Sequence, residues 1–192
     1  MKKNNSTQFT SLHRVLHGII GGLMLVLFLT GFLRMYWMNK NKIVSIIESK
    51  AQNTPLSQDQ MVDIARTIRE PMWQWHQYAA YVIVVAFLLR IIYMFVKGIK
   101  FPNPLVKNPS MKEKAQGWIY LVFYVFLAVS MVSGFYMKWI DGDWNKTMET
   151  VHKWAIYWFP LFILVHFAGI LMGELTDKKG IVSKMIGGDS KQ

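Results

Sequence analysis

Apolar residues gather in four blocks along this chain, at about 15–38, 74–96, 117–137 and 152–173, with polar or charged stretches between them. Each block is roughly twenty residues, the length a helix needs to cross the hydrocarbon core of a bilayer. The pattern predicts an all-α integral membrane protein, an up-down four-helix bundle that forms one domain over 1–192. The first block is too long for the apolar region of a cleavable signal and lacks an A-x-A-like site, so it is expected to remain as the first span. Ser11 is placed to cap it. The long connection 39–72 contains one predicted amphipathic helix. Ser57 caps it, Asp59 lies in its first turn, Met61, Ile64, Ala65 and Ile68 make its apolar stripe, and Pro71 ends it. That stripe is expected to lie on the membrane or cap the bundle, or else to dock a partner. The connection 97–116, rich in Lys, Pro and Asn, reads as irregular. Pro160, inside the fourth block, predicts a bend there.

Composition sharpens this picture. The chain is 53% hydrophobic, with 13 Met, 12 Phe, 8 Trp and 8 Tyr, more large apolar side chains than a soluble domain of this size needs. It has no cysteine. Disulfides, iron–sulfur ligation by this chain, thiolate zinc and covalent haem attachment through C-x-x-C-H are therefore excluded, and a haem held here is b-type.

The net charge of +11 is distributed as in a membrane protein and does not argue for nucleic acid. Residues 1–14 carry +3 from Lys2, Lys3 and Arg14. The stretch 96–116 carries +4, from Lys97, Lys100, Lys107, Lys112 and Lys114 against Glu113, and 173–192 carries +1. The alternate connections, 39–72 and 138–151, carry +1 and −1. Positive charge marks the cytoplasmic side, so both termini are expected in the cytoplasm.

Candidate chemistry lies in the histidines. His152 and His166 are 14 residues apart in the fourth block, which on a straight helix puts them on one face about 21 Å apart. His17 stands at the cytoplasmic end of the first span and His76 at the outer end of the second. A histidine within an apolar span is costly and signals function. Depth pairs His17 with His166 and His76 with His152, each pair joining two helices, as bis-histidine ligation of two haems requires. Iron so ligated has no vacant site and carries electrons. The bland alternative is four interfacial histidines hydrogen-bonded to neighbouring helices. His13, one turn before His17, could replace it as a ligand, but is expected outside the membrane core, solvated or touching a propionate. Arg90 lies 14 residues after His76 and needs a counter-charge, for which haem propionates would serve; snorkelling to the interface is the other reading. Arg14, Arg34, Lys138 and Lys153 lie near the two haem depths as further propionate partners. Gly21, Gly22 and Gly31 leave room for another helix or a flat macrocycle. A Ser-Gly-Phe near the outer end of the third span echoes a Thr-Gly-Phe at the outer end of the first.

Over about 10–175 the chain resembles the bacterial cytochrome b561 and nickel–iron hydrogenase cytochrome b subunit family. The resemblance is carried by His17 followed thirteen residues later by Thr30-Gly31, by His76 opening a span that closes on Arg90-Ile91-Ile92-Tyr93, and by the His152–His166 spacing. The Thr-Gly spacing favours His17 over His13. Gly18 stands where the family usually has Trp, and the 39–72 connection is longer than in compact stand-alone members. The resemblance implies a di-haem, quinone-linked electron carrier in the bacterial inner (plasma) membrane. Such a protein acts alone, with a periplasmic electron carrier or other redox partner, or as the membrane subunit of a hydrogenase or other dehydrogenase. A non-redox anchor and a metal-ion transporter are the competing classes. The retained histidines argue against the first, and the scarcity of Asp and Glu within the spans argues against the second.

Overall fold

The computed structural model describes residues 9–51, 56–98, 101–105, 110–140, 142–176 and 179–188. Among them every regular element is helical: α1 (Ser11–Phe32), α2 (Lys40–Lys50), α3 (Gln58–Lys97), α4 (Met111–Trp139), α5 (Asn145–Lys153), α6 (Ala155–Leu175) and α7 (Ile181–Ile186), with a π-helical turn, Leu33–Trp37, continuing α1. Four stretches are long and apolar enough to cross a membrane: Ser11–Trp37, Gln58–Lys97, Met111–Trp139 and Asn145–Leu175. They contain nearly all of the four apolar blocks, and the expected all-α membrane class is borne out. Most of their apolar surface stays exposed on the protein, as lipid contact requires. Of the basic residues used to assign the orientation, Lys2, Lys3, Lys100, Lys107, Lys178 and Lys191 lie outside the described residues.

The chain forms two compact units, with the boundaries falling inside α1 and α3. One unit comprises 21–85. Here the structure revises the reading of 39–72. Asn39 caps α2 by accepting from the Asn41 amide at 3.0 Å. Val44 of α2 is buried in a cluster with Met61 and Ala65 of α3, flanked by Ile43, Ile47, Leu56 and Val62. Half of the expected stripe is therefore covered from within the chain, while Ile64 and Ile68 remain exposed. Burying a Val or Met side chain is worth about 1.5–3 kcal/mol, enough to hold a helix too short to be stable alone. Ser57 caps α3 as expected: its Oγ accepts from the Gln60 amide at 3.2 Å, and Gln60 Oε1 accepts from the Ser57 amide at 2.9 Å. Pro71 does not end this helix, which runs through it for 40 residues. The sequence on both sides lacks glycine or turn residues, so the helix tolerates the roughly 3 kcal/mol that an interior proline costs.

The other unit comprises the segment up to Ile20 and everything from Ala86. The α1 cap is Thr10, not Ser11: its Oγ1 accepts from the His13 amide at 3.3 Å. Ser110 and Glu113 form a reciprocal capping box that starts α4. A Cβ at Gly117 of α4 would collide with Pro102 and Pro104, and one at Gly134 would lie 3.0 Å from the His152 ring, so α4 is where close approach demands glycine. At Gly21, Gly22 and Gly31 no described residue comes within 4 Å of an added Cβ, so no close helix contact is made there. The fourth span is two helical segments joined at Trp154. Around the joint the bonds tighten to three-residue steps, Trp154 N–H to Val151 O at 3.2 Å and Tyr157 N–H to Trp154 O at 3.0 Å. The break thus falls before Pro160, whose ring crowds the carbonyl four residues earlier, and His152 and His166 belong to different segments. After α6, the Glu174 carboxylate accepts from the Gly180 and Ile181 amides at 2.7 and 3.0 Å and fixes the start of α7.

Candidate functional site

His17, early in α1, and His166, midway along α6, meet with ring centroids 6.0 Å apart and planes inclined by 49°. Two metal–imidazole bonds of about 2 Å on opposite sides of one metal, plus about 1 Å from each nitrogen to its ring centre, require a centroid spacing of roughly 6 Å. That spacing would let the two imidazoles hold one iron between them. Phe162 stacks on His166 at 5.5 Å and 18°, and Tyr120 of α4 meets it edge-on at 6.2 Å.

Arg90 of α3 sits in a polar cluster within the same unit. Its Nη2 donates to His13 Nε2 at 3.2 Å and its Nε to the Tyr124 hydroxyl at 3.3 Å. Its guanidinium carbon lies 5.8 Å from the centre of the Tyr93 ring. Nη1 is buried with no hydrogen-bond partner among the described residues. A buried guanidinium nitrogen lacking an acceptor is the receptor that a haem propionate would complete. His13 departs from expectation. It is only 5% exposed and is not solvated. Arg90 is the cause, because a guanidinium in an apolar span draws in polar groups and can only donate, leaving Nε2 of His13 to accept. Tyr93, whose hydroxyl bonds Thr10 Oγ1 at 2.7 Å, closes the cluster.

The two histidines expected at the outer ends are each tied through Nδ1. His76 Nδ1 lies 2.8 Å from Thr30 Oγ1, and its ring stacks on Trp73 at 5.2 Å and 9°. Arg34, in the π-helical turn, lies over the other partner of that stack, 4.1 Å from the Trp73 centroid. His152 Nδ1 lies 2.8 Å from the Ser130 carbonyl and 3.3 Å from Ser133 Oγ. A carbonyl can only accept, so in this contact His152 donates from Nδ1, the tautomer in which an imidazole can offer Nε2 to a metal.

Other expected residues are placed differently. Lys153 pairs with Glu149 one turn earlier on the surface. Arg14 donates to Ser11 Oγ at 3.3 Å, and its guanidinium lies so close to Gly188 that a Cβ there would collide with it. Among the described residues no three His, Cys, Asp or Glu side chains converge on a metal position. A metal bound by these histidines needs further ligands from a cofactor, as haem iron has.

The family model for prokaryotic cytochrome b561 matches residues 8–188, from just before the Thr10 cap to the end of the α7 region. The chain belongs to that family. No curated protein and no solved structure matches it. As a prokaryotic cytochrome b561 it is a bacterial membrane protein that binds haem b and transfers electrons. The residues that sequence reasoning did not assign to this cytochrome's site are Thr30, Ser130, Ser133, Tyr120, Tyr124 and Phe162. The Thr-Gly-Phe and Ser-Gly-Phe echo was the signal for two of them.

Proposed function

We propose that this cytochrome binds two haems b and relays electrons across the bacterial plasma membrane between the quinone pool and a redox partner of the respiratory chain. His17 and His166 supply the axial nitrogens for one haem, and His76 and His152 for the other. The observation that carries the reading is the 6.0 Å spacing of the His17 and His166 rings. Pairing His76 with His152 rests on their common depth in the sequence, both standing at the outer ends of their spans. It is supported by the Nδ1 contact each makes. Haem supplies one-electron chemistry when bound. The chain's own work is to hold the four imidazoles and balance charge. Arg90 does the second, its buried Nη1 donating to a propionate while His13 and Tyr124 hold the rest of the guanidinium. Arg14 and Lys153 are further propionate partners in this reading, Lys153 by leaving Glu149. Both termini lie in the cytoplasm, as the lysine and arginine distribution supports. The test is a dithionite-reduced minus oxidised spectrum of the purified protein together with its haem stoichiometry. Two haems per chain are expected; one would overturn the two-pair arrangement.

A further inference from the structure

The Thr-Gly-Phe at 30–32 and the Ser-Gly-Phe at 133–135 each present a hydroxyl to a histidine that begins a later membrane segment. Thr30 Oγ1 meets His76 Nδ1 at 2.8 Å, and Ser133 Oγ meets His152 Nδ1 at 3.3 Å. A hydroxyl has one proton. Thr30 spends it on its own helix, donating to the Val26 carbonyl at 2.7 Å, with the Leu27 carbonyl at 3.0 Å. With the proton so used, its oxygen accepts from His76 in the tautomer that carries the Nδ1 proton. Ser133 likewise donates to the Ser130 carbonyl at 3.1 Å, and that same carbonyl accepts from His152 Nδ1. Both histidines are thus held in the tautomer whose Nε2 lone pair can bind iron.

We infer that Thr30 and Ser133 are positioning residues that set the tautomer and orientation of His76 and His152. This rests on the reading that those two histidines are haem ligands. Ser133 shares its role, because His152 Nδ1 also has the Ser130 carbonyl, at 2.8 Å against 3.3 Å for Ser133 Oγ. An acceptor on Nδ1–H makes the imidazole a stronger donor and stabilises oxidised iron. Removing it raises the midpoint potential and frees the ring to turn.

The test is redox titration, low-spin electron paramagnetic resonance and haem stoichiometry on Thr30→Val, Thr30→Ser, Ser133→Ala and His76→Ala in the full chain. Thr30→Val keeps the shape and removes the acceptor. It should raise the midpoint of the haem that His76→Ala depletes, shift that haem's resonance and leave the other haem unmoved. Haem affinity at that site should fall about 10–100-fold, as for other partners of metal-bound histidines. Thr30→Ser should restore all three readouts, and Ser133→Ala should move that same haem less than Thr30→Val does. Haem loss in Thr30→Val that Thr30→Ser repairs also supports the assignment. An unchanged midpoint and resonance in Thr30→Val, or equal damage from Thr30→Ser, overturns it. Should His76→Ala keep both haems, the ligand assignment itself fails. Should His76→Ala lose a haem while Thr30→Val is silent, only the positioning role fails.

Discussion

Arg90 brings a guanidinium, a cation that can only donate hydrogen bonds, into the unit that holds His17 and His166. Its effect on a nearby haem is therefore that of a fixed cation, which favours the extra electron. Arg90→Leu is expected to lower the midpoint of the haem held by His17 and His166, the opposite sign from Thr30→Val at the other site. Unchanged midpoints on redox titration would mean that Arg90 only anchors His13 and Tyr124. The ligand histidines are expected to act in pairs. His17→Ala and His166→Ala should deplete one haem, and His76→Ala and His152→Ala the other, as measured by haem content of the purified variants. His13→Ala should keep both, with a potential shift in the first, since Nε2 of His13 accepts from Arg90. Loss of a haem from His13→Ala but not from His17→Ala would reverse that assignment. The histidines were legible in the sequence because a titratable residue in an apolar span has few bland explanations. Their partners were not. Thr30 and His76 are 46 positions apart, and no local periodicity links them. The burial of His13 was not legible either, because its partner Arg90 is 77 positions away.

Spans are the elements that a sequence states most plainly, since twenty apolar residues in a row have one economical use. Short helices outside the bilayer are harder to read. α2 is eleven residues with three lysines and one glutamate, and what holds it is the contact of Val44 with Met61 and Ala65. Ala65 is completely buried, so Ala65→Leu is expected to overpack that contact at about 1–3 kcal/mol. The variant should expose Lys40, Lys42 and Lys50 to trypsin while the haem spectrum stays intact. Resistance equal to the parent's would show that α2 is held by other contacts. Proline is a weaker signal than an apolar block. α3 passes through Pro71, and in the fourth span the tightened turn lies at Trp154, six residues before Pro160.

For the molecule as a whole, the charge pattern makes a claim about sidedness. A periplasmic reporter fused after residue 55 should be active, and one fused after residue 105 inactive; a cytoplasmic reporter should give the reverse. The opposite pattern would invert the membrane orientation without disturbing the histidine pairs, which would only exchange sides. The class of the protein and its four crossings follow from composition and block length, whereas its division into two compact units, cut within α1 and α3, left no mark in the sequence. The hydroxyl contact between α1 and His76 also bears on speed. A hop between two centres is slowed by however far the nuclei must move when charge arrives. An imidazole whose Nδ1 is bonded to Thr30, itself fastened to the Val26 carbonyl, and whose face is stacked on Trp73, has little room to swing. Were iron bound at His76, a ring so fixed would move little when the charge changed, which would keep the reorganisation energy small and let the hop be fast at a modest driving force.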